Sequence, residues 1–260
     1  MTKWIRFNFK HDTGLFGTLD GDSVDEYEGN LFETPKPTGR KIPINEVQVE
    51  APLEPHSIFA LWNNFHERAE KEEQTIPDVP LYFMKPLTSV IGPDQTIYRP
   101  KGHKGRVIFE AELGIVIGSK CREVNELEAG EYIFGYTCVN DVTAVEFLFE
   151  DKAFQQWTRC KGFDTFTPIG PCIATGIDPA RMQVKAVQNC ETRQDYPVSD
   201  MIFSPLQIVS MLSHYQTLRP GDLISCGTSV GARTMKPGTT IDIVIPGIGV
   251  LSNPFDDLPE

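Results

Sequence analysis

The sequence predicts a mainly β fold with a few helices, in the α+β class. The first observation is a stretch rich in β-branched residues, 107–117, which Gly105 precedes and Gly118 ends, as is typical of a buried strand. The second is another apolar stretch of strand character at 134–142. The third is the last third of the chain, where segments of alternating apolar and polar residues are separated by turn residues.

Residues 1–50 are predicted to form a small N-terminal β subdomain, and residues 51–260 the main domain. Alternation in Trp4–Phe9 is typical of a strand, and Asp-Gly-Asp at 20–22 is typical of a hairpin turn. These features predict a small β-meander. The segment 35–43 is rich in proline and basic residues, so we expect it to be the linker that follows the meander.

Three segments of the main domain have helical character: 62–71, 123–132 and 207–216. The last of them carries apolar residues at positions that would form one face packed against a sheet. Residues 182–187 and 191–196 alternate and are separated by a short turn, which predicts a hairpin. Helices and hairpins of this kind agree with the α+β class.

The 260 residues carry a net charge of −12, which is unfavourable for binding nucleic acid. The N-terminal residues lack the basic and apolar regions of a secretion signal, and no apolar run approaches the roughly 20 residues of a membrane span. The six cysteines show no C-x-x-C spacing, so we expect buried, reduced thiols in a cytoplasmic protein. We expect neither nucleic acid nor a membrane as a partner.

Three carboxylates stand in or beside the two central strand patterns. Glu110 and Glu112 are two positions apart, so their side chains would share one face, with Cα atoms about 6.5–7 Å apart. Asp141 stands near the end of the second pattern. Oxygen ligands without histidine or cysteine suit Mg²⁺, Mn²⁺ or Ca²⁺ better than Zn²⁺. The alternative is an edge strand whose carboxylates face water.

The order of these motifs resembles the fumarylacetoacetate hydrolase (FAH) family. Glu110-Ala111-Glu112 is followed at 135–144 by Gly-Tyr-x-x-x-Asn-Asp-x-Thr-Ala, which is similar to the metal-binding core of that family. Further segments resemble later motifs of the family, so that the likeness spans roughly residues 52–255. They are the lysine-bearing segment 156–166, the closing motif 217–228 and the last strand 247–253.

The resemblance implies a mixed β-sandwich or roll of the FAH type, in the branch of acylpyruvate hydrolases and 2-hydroxyhepta-2,4-diene-1,7-dioate isomerases. It implies that Glu110, Glu112 and Asp141 hold Mg²⁺ or Mn²⁺, with Ca²⁺ as a substitute in a crystal. The substrate would be a small 2-oxo or 2,4-dioxo carboxylic acid from the catabolism of aromatic compounds. The resemblance also implies a homodimer.

The family's water-activating pair, His-x-x-Glu after Gly-x-Asn-Tyr, is not retained. Aligning Asn-Phe at 64–65 with the family's Asn-Tyr places Arg68 and Lys71 where His and Glu belong. His66 and Glu70 are four residues apart and would share one face of a helix. We predict that they form a replacement catalytic pair, with His66 as the base beside the strand ends. The alternative is a surface helix with an incidental histidine.

The remaining predicted site residues are cationic or polar. Lys161 would act in catalysis and bind the substrate carboxylate or enolate, and a salt bridge to Asp164 is the alternative. Lys85 and Arg159 would bind substrate, unless their side chains point to solvent. The resemblance places Thr228 against the substrate carboxylate.

A second departure follows Asp141. The family commonly has Arg, and Gln three residues later, where this chain has Val145 and Leu148. In the family the Arg typically contacts substrate oxygens. Its absence suggests a different or less polar substrate.

Together these residues predict hydrolysis of a C–C bond in an acylpyruvate-type substrate, in which the metal polarises the 2-oxo acid so that its enolate can leave. The same enolate chemistry without attacking water would give decarboxylation of an oxaloacetate-like acid or keto–enol isomerisation of a 2-hydroxy-dienoic acid. A further alternative is a family member that has lost catalysis and retains a metal site. Neither a nucleotide-binding nor a serine-hydrolase motif occurs in the sequence.

Overall fold

The computed structural model describes residues 1–259, and its secondary structure is mainly β, which confirms the predicted class. The strands are β1 (Thr2–Phe9), β2 (Asp12–Asp20), β3 (Ser23–Glu28), β4 (Lys36–Pro43), β5 (Gln48–Val49), β6 (Ile58–Trp62), β7 (Leu81–Met84), β8 (Val90–Ile91), β9 (Ile97–Arg99), β10 (Val107–Ile108), β11 (Ala111–Ile117), β12 (Ile133–Asn140), β13 (Thr143–Ala144), β14 (Thr167–Thr175), β15 (Gln183–Gln188), β16 (Glu191–Pro197), β17 (Leu223–Ser225), β18 (Thr239–Ile245) and β19 (Gly249–Asp257). The α-helices are α1 (His66–Lys71), α2 (Glu126–Ala129), α3 (Val145–Leu148), α4 (Trp157–Lys161) and α5 (Pro205–Tyr215). Short 3₁₀ turns occur at Ile44–Glu46, Leu87–Ser89, Gly130–Tyr132, Pro179–Arg181 and Val198–Asp200.

Within residues 1–259, twelve strands form one large sheet. Ten of them follow a single path, β4-β3-β2-β1-β14-β12-β11-β17-β6-β7, while β5 pairs with β1 and β8 with β14. Most neighbours are antiparallel, but β17 and β6 are parallel, as are β14 and β8, so the sheet is mixed. A second sheet has the order β16-β15-β18-β19-β9, and β10 pairs with β13.

The two sheets pack against each other and bury the main hydrophobic core. Strands β15, β18 and β19 lie against β11, β12 and β14. Leu113 and Ile115 from the large sheet belong to the same buried cluster as Ile243 and Leu251 from the second sheet. Removal of this apolar surface from water is the main favourable contribution to such packing.

The N-terminal strands extend the large sheet. Strand β1 pairs with β14, with Trp4 opposite Ile173, and the Trp4 ring lies 5.0 Å from that of Tyr27 and 6.3 Å from that of Phe134. The predicted linker is wrong, because residues 36–43 form β4, which pairs with β3. Strand β4 ends the path of the sheet, and an edge strand tolerates prolines since it need not donate every backbone N–H.

The two central strands bring the acidic residues together. Strands β11 and β12 are antiparallel, and the start of β11 lies opposite the end of β12. Glu112 therefore lies beside the point where Asp141 follows β12. The stretch predicted as one strand is divided at 109–110, since β10 pairs with β13 and β11 with β12. Glu110 lies at this break, and the backbone N–H of Asp141 donates to its carbonyl oxygen at 2.9 Å.

The helices differ from the prediction mainly at their ends. Helix α1 begins four residues later than predicted because strand β6 extends to Trp62, and α2 is a single turn followed by a 3₁₀ turn. Helix α5 begins earlier, at Pro205. Ser204 Oγ accepts from the Gln207 backbone N–H at 3.3 Å, and the Gln207 side chain accepts from the Ser204 N–H at 2.9 Å. This capping box could have been recognised in the sequence.

The structure corrects the expectation that all six cysteines are buried. Within residues 1–259 the cysteines form no disulfide, and five are buried, but Cys190 is exposed, which corrects the expectation of six buried thiols. Cys190 lies in the turn between β15 and β16 with a φ of 64°. None of the helices in the described part of the chain has the length and apolar character that a membrane crossing requires.

Gly135 on β12 has no space for a side chain. A Cβ atom there would lie 2.5 Å from the carbonyl oxygen of Ala174 on β14. We expect Gly135→Ala to lower the free energy of unfolding by about 1–3 kcal/mol, the usual cost of overpacking, as measured by chemical denaturation. Gly130→Ala is the control, because its nearest atom would lie 3.5 Å away and its backbone is helical. An equal loss in both variants would contradict the steric explanation.

Candidate active site

Three carboxylates converge at one buried point. Ligand oxygens of Glu110, Glu112 and Asp141 all lie within 4.8 Å of one another, and the three residues are buried. Glu110 precedes β11, Glu112 is the second residue of that strand, and Asp141 follows β12. The structure thus brings together the three residues that the sequence grouped, and we refer to them below as the carboxylate triad.

Two buried lysines contact the carboxylate triad. Lys161 Nζ contacts the carboxylate of Glu110 and lies 2.7 Å from Asp141 Oδ2. Lys85 Nζ contacts the other oxygen of Asp141 and donates to the carbonyl oxygen of Phe166 at 2.9 Å. Their side chains are 4% and 0% exposed. Burial of several carboxylates is costly unless positive charge is close by, so these lysines make the triad compatible with the fold.

Burial and charge act differently on the pKa values of these groups. Burial raises the pKa of Glu112 well above its ordinary value, and the charges of Asp141 and Glu110 raise it further. Burial acts to raise the pKa of Asp141 as well, but Lys161 and Lys85 outweigh it and hold that pKa below its ordinary value. Burial acts to lower the pKa of Lys161, yet Asp141 and Glu110 raise it. Additional positive charge would therefore favour the ionised form of Glu112 more than that of Asp141, which two lysines already neutralise.

The end of β17 and the turn that follows it orient Glu112. Glu112 Oε2 accepts from Ser225 Oγ at 2.5 Å and from the backbone N–H of Gly227 at 2.8 Å. Gly227 has a φ of 87°, which glycine adopts at little cost, and a Cβ there would lie 3.2 Å from Cβ of Asn64. Residues of the motif 217–228 thus hold one oxygen of the carboxylate triad in place.

Glu110 and Glu112 of the carboxylate triad line a cavity of about 370 Å³, a volume in the range of small-molecule sites. Its lining combines ten polar or charged residues with eight apolar ones. The residues that line it are Leu61, Trp62, Asn63, Arg68, Glu72, Gln74, Phe83, Ile108, Glu110, Glu112, Thr143, Val145, Leu148, Phe149, Gln155, Trp157, Lys161 and Thr228.

Arg68 links Glu110 of the carboxylate triad to Glu72, a further acidic residue of the cavity lining. Its Nη1 donates to Glu110 Oε1 at 3.1 Å and its Nε donates to Glu72 Oε1 at 3.0 Å. Glu72 is the C-terminal capping position of α1, and its side chain is 44% exposed. In the sequence, Arg68 stands out only as a departure from the family pattern. The i,i+4 spacing of Arg68 and Glu72 was the available signal.

The predicted catalytic pair lies outside the cavity. His66 and Glu70 are exposed, and neither lines the cavity in the part of the chain that the structure describes. Each is two residues from Arg68, and two residues on a helix correspond to roughly opposite sides. Since α1 directs Arg68 inward, it directs His66 and Glu70 outward. The catalytic role predicted for His66 and Glu70 stays a prediction, but the structure does not place either side chain in the cavity lining within residues 1–259.

The predicted substrate-binding residues divide into two groups. Lys161 and Thr228 line the cavity, whereas Lys85 and Arg159 do not belong to its lining within residues 1–259. Lys85 contacts Asp141 of the carboxylate triad. Arg159 is half exposed and pairs with Glu150, so the structure corrects its predicted position. Lys161 is directed at the triad, not at Asp164, which answers the alternative left open by the sequence.

Two residues of the second sheet position Thr228, and the sequence analysis missed both. Gln194 Nε2 donates to Thr228 Oγ1 at 2.9 Å, while Gln194 Oε1 accepts from the Ala111 N–H at 3.0 Å. Tyr196 Oη donates to the Ala111 carbonyl oxygen and lies 3.4 Å from Thr228 Oγ1. Both side chains are buried on one face of β16. The alternation of residues 191–196 was visible in the sequence, but the contact of Gln194 and Tyr196 with Thr228 was not.

The donor atoms of this site fit a hard divalent cation. The carboxylate triad offers only oxygen ligands, which Mg²⁺ and Mn²⁺ prefer. A cation beside Glu112 would oppose the rise in its pKa, because positive charge favours the ionised carboxylate. Because Glu110 and Glu112 line the cavity, there is room for oxygens of a small molecule beside them.

Comparison with known proteins places this geometry in a family. Residues 57–256 match the family model described as fumarylacetoacetate (FAA) hydrolase C-terminal. Residues 2–52 match the model described as Rv2993c-like, N-terminal. A protein of Archaeoglobus fulgidus is 40% identical over 215 residues, which are 83% of this chain and 84% of the relative.

Two solved structures are similar over the whole chain. The 2-hydroxyhepta-2,4-diene-1,7-dioate isomerase from Mycobacterium marinum is 34% identical with a TM-score of 0.91, covering 100% of both chains. The fumarylacetoacetate hydrolase from Exiguobacterium antarcticum is 26% identical with a TM-score of 0.88, covering 99% of this chain and 100% of that one.

Metal binding is expected to stabilise the folded protein through the carboxylate triad. After treatment with EDTA, Mn²⁺ or Mg²⁺ at 100 times its Kd should add about 2.7 kcal/mol of stability, measured as a rise in Tm by calorimetry. Glu112→Gln should abolish this rise because an amide lacks the charge of a carboxylate. Glu70→Gln, a change of an exposed carboxylate on α1, is the control and should keep it. An undiminished rise in Glu112→Gln would place the bound metal elsewhere.

Removal of a buried counterion should be more costly than removal of a surface one. Lys85→Met leaves Asp141 with one lysine fewer, and loss of one partner of a buried pair costs about 3–5 kcal/mol. Arg159→Met removes the exposed pair with Glu150, for which we expect less than about 1 kcal/mol. Urea denaturation in EDTA would measure both. Similar values for the two variants would mean that Lys85 does not neutralise Asp141.

Proposed function

The chain belongs to the fumarylacetoacetate hydrolase family, and on that premise we propose that it is a divalent-metal-dependent hydrolase that cleaves the C–C bond of an acylpyruvate. The family contains hydrolases, isomerases and decarboxylases, so the protein is an enzyme of one of these types. The observation that carries the proposal is the buried carboxylate triad, two of whose members, Glu110 and Glu112, line a cavity of small-molecule size together with Lys161.

The residues of the cavity have distinct parts in this reaction. Glu110, Glu112 and Asp141 would hold the metal, which when bound supplies a Lewis acid that polarises the oxygens of a 2-oxo acid. Lys161 places a positive charge beside the same position and would stabilise the negative charge of the departing enolate. Thr228 Oγ1 accepts a hydrogen bond from Gln194, which leaves its hydroxyl hydrogen available to a substrate carboxylate.

Glu72 is the better placed candidate for the general base. Within residues 1–259, it is the only carboxylate of the cavity lining besides Glu110 and Glu112. Arg68 holds it through one oxygen and is itself held by Glu110, so the position of Glu72 is tied to the metal site. A carboxylate fixed in this way could take a proton from water that attacks the substrate. His66 and Glu70 would need a change in the position of α1 to do so.

The proposed reaction balances as a hydrolysis. Water loses a proton to the base, and its oxygen forms a bond to the acyl carbonyl carbon of R–CO–CH₂–CO–COO⁻. The bond between that carbon and the CH₂ group then breaks. Its electron pair remains with the three-carbon fragment as the enolate of pyruvate, which takes up a proton at carbon. The products are R–COOH, which ionises, and pyruvate.

Decarboxylation or keto–enol isomerisation is the second candidate, and a specific observation favours it. No histidine lines the cavity within residues 1–259, and neither reaction requires an attacking water. The Mycobacterium marinum protein that is 34% identical to this chain is described as an isomerase. Both reactions would use the same polarised 2-oxo acid.

Turnover assays with matched variants would separate these possibilities. Acetylpyruvate, oxaloacetate and a 2-hydroxy-dienoic diacid would each be followed with Mg²⁺, with Mn²⁺ and with EDTA. We expect metal-dependent release of pyruvate and acetate from acetylpyruvate. Glu72→Gln should lower kcat by about 10²–10⁴-fold, the usual contribution of a general base, while His66→Ala should change it by less than about threefold.

The controls also discriminate among the candidates. Glu112→Gln should abolish every metal-dependent activity. A large loss in His66→Ala with little change in Glu72→Gln would return the role of base to His66. Activity confined to oxaloacetate or to the dienoic acid, and retained in Glu72→Gln, would replace hydrolysis by the second candidate.

A further inference from the structure

We infer that the acyl group R of the substrate is uncharged and aromatic, as in an aroylpyruvate, and that Trp62, Phe83 and Trp157 select for it. The inference rests on the proposed function only in that the 2-oxo acid end of the substrate is taken to lie at the carboxylate triad. The argument for the other end of the substrate comes from the shape and charge of the cavity.

One wall of the cavity is a continuous aromatic surface. Trp157 lies between Trp62 and Phe83, with ring centroids 5.5 Å and 5.6 Å away and interplanar angles of 49° and 21°. All three residues are half-buried and line the cavity. Flat rings at such distances favour an aromatic partner through burial and quadrupole interactions.

This aromatic wall begins beside the metal site. Lys161 Nζ lies 5.7 Å from the centre of the Phe83 ring, while the same nitrogen contacts Glu110 and Asp141. A molecule whose acid end lies at the triad would therefore extend along the rings. The cavity of about 370 Å³ has room for more than a methyl group at the far end.

The charges of the lining disfavour a second carboxylate on the substrate. Within residues 1–259, Arg68 and Lys161 are the only cations of the lining. Lys161 is engaged by the carboxylate triad, and Arg68 is engaged by Glu110 and Glu72 at 3.1 Å and 3.0 Å. A dicarboxylic acid would have to place its second charge near Glu72 or against the rings, without a free cation. Such a buried, unpaired charge is strongly unfavourable.

Helix α3 adds an aliphatic surface to the same cavity. Val145 and Leu148 both line it, and they are three residues apart on one side of the helix. Together with the aromatic wall they form an apolar region with polar groups at the metal end. This separation fits a molecule with an acid group at one end and an apolar ring at the other.

Comparison of substrates with variants would test the inference. In the presence of Mn²⁺ we expect kcat/KM for benzoylpyruvate to exceed that for fumarylpyruvate by at least about tenfold, the lower end of discrimination by an apolar pocket. Trp157→Ala should lower the value for benzoylpyruvate by about tenfold and that for acetylpyruvate by less than about threefold. Val145→Arg should reduce the preference for benzoylpyruvate over fumarylpyruvate, because it adds to the lining a cation that could pair with the second carboxylate of fumarylpyruvate.

Phe154→Ala is the control for the loss of an aromatic side chain. Phe154 is 71% exposed and does not belong to the cavity lining in the described part of the chain, so all three substrates should keep their values. Equal or better turnover of fumarylpyruvate by the unaltered enzyme would overturn the inference. An equal loss for benzoylpyruvate and acetylpyruvate in Trp157→Ala would do the same.

A binding measurement separates failure of this inference from failure of the proposed hydrolysis. Calorimetric titration of the Mn²⁺-loaded protein with phenylpyruvate and with 2-oxoglutarate compares one aromatic and one dicarboxylic 2-oxo acid without requiring turnover. Binding of phenylpyruvate at least about tenfold tighter supports the inference even if no dioxo acid is cleaved. Equal or tighter binding of 2-oxoglutarate overturns the inference even if hydrolysis occurs. Binding of neither acid would contradict the placement of a 2-oxo acid at the carboxylate triad, on which the inference and the proposed function both rest.

Discussion

The balance of charge at the carboxylate triad is the constraint on which the arrangement of this protein depends. Three carboxylates are buried where β11 meets β12, and each of three cations that neutralise them comes from a different element. Lys85 follows β7, Lys161 ends α4 and Arg68 lies on α1. Because unpaired charges in the interior are so costly, these three elements have to meet at the end of the central strands. The cavity forms between them.

The second sheet contributes rigidity to the site without contributing a charge. Gln194 and Tyr196 satisfy both polar backbone groups of Ala111, which lies between the two glutamates. They also contact Thr228, which lines the cavity. Buried polar groups that are fully hydrogen-bonded hold one arrangement, whereas a partly satisfied network would not. The packing of one sheet on the other thus determines the position of a predicted substrate-binding hydroxyl.

The cavity divides into two chemically different regions, and this division connects the fold to the proposed reaction. Its polar region gathers oxygen ligands, Lys161 and Thr228, which suit the acid end of a 2-oxo acid. Its apolar region is built from residues of four short elements, β6, β7, α3 and α4, which line the cavity. Cations that could have served a second substrate charge are already engaged by protein carboxylates. The same ion pairs that stabilise the site therefore also limit what it can bind.

The sequence by itself determined the features that depend on local periodicity. The alternation predicted for residues 107–117 placed Glu110 and Glu112 on one face, although β11 begins only at Ala111. The strand pattern before Asp141 placed this residue near the end of β12, which it directly follows. The same reasoning identified the predominance of strands and helix α5. Each of these follows from the geometry of a single element, because side chains two apart on a strand share a face whatever the rest of the chain does.

Only the tertiary structure decided which face of an element meets the site. Helix spacing correctly joined His66 and Glu70 on one side of α1, but the packing of that helix turned this side to solvent and Arg68 inward. Residues 36–43 form a strand because β3 offers a pairing partner, and Arg159 lies at the surface, where it pairs with Glu150. Such choices depend on contacts between residues far apart in the chain. Periodicity contains no information about them, since a helix or strand has the same repeat whichever of its sides is buried.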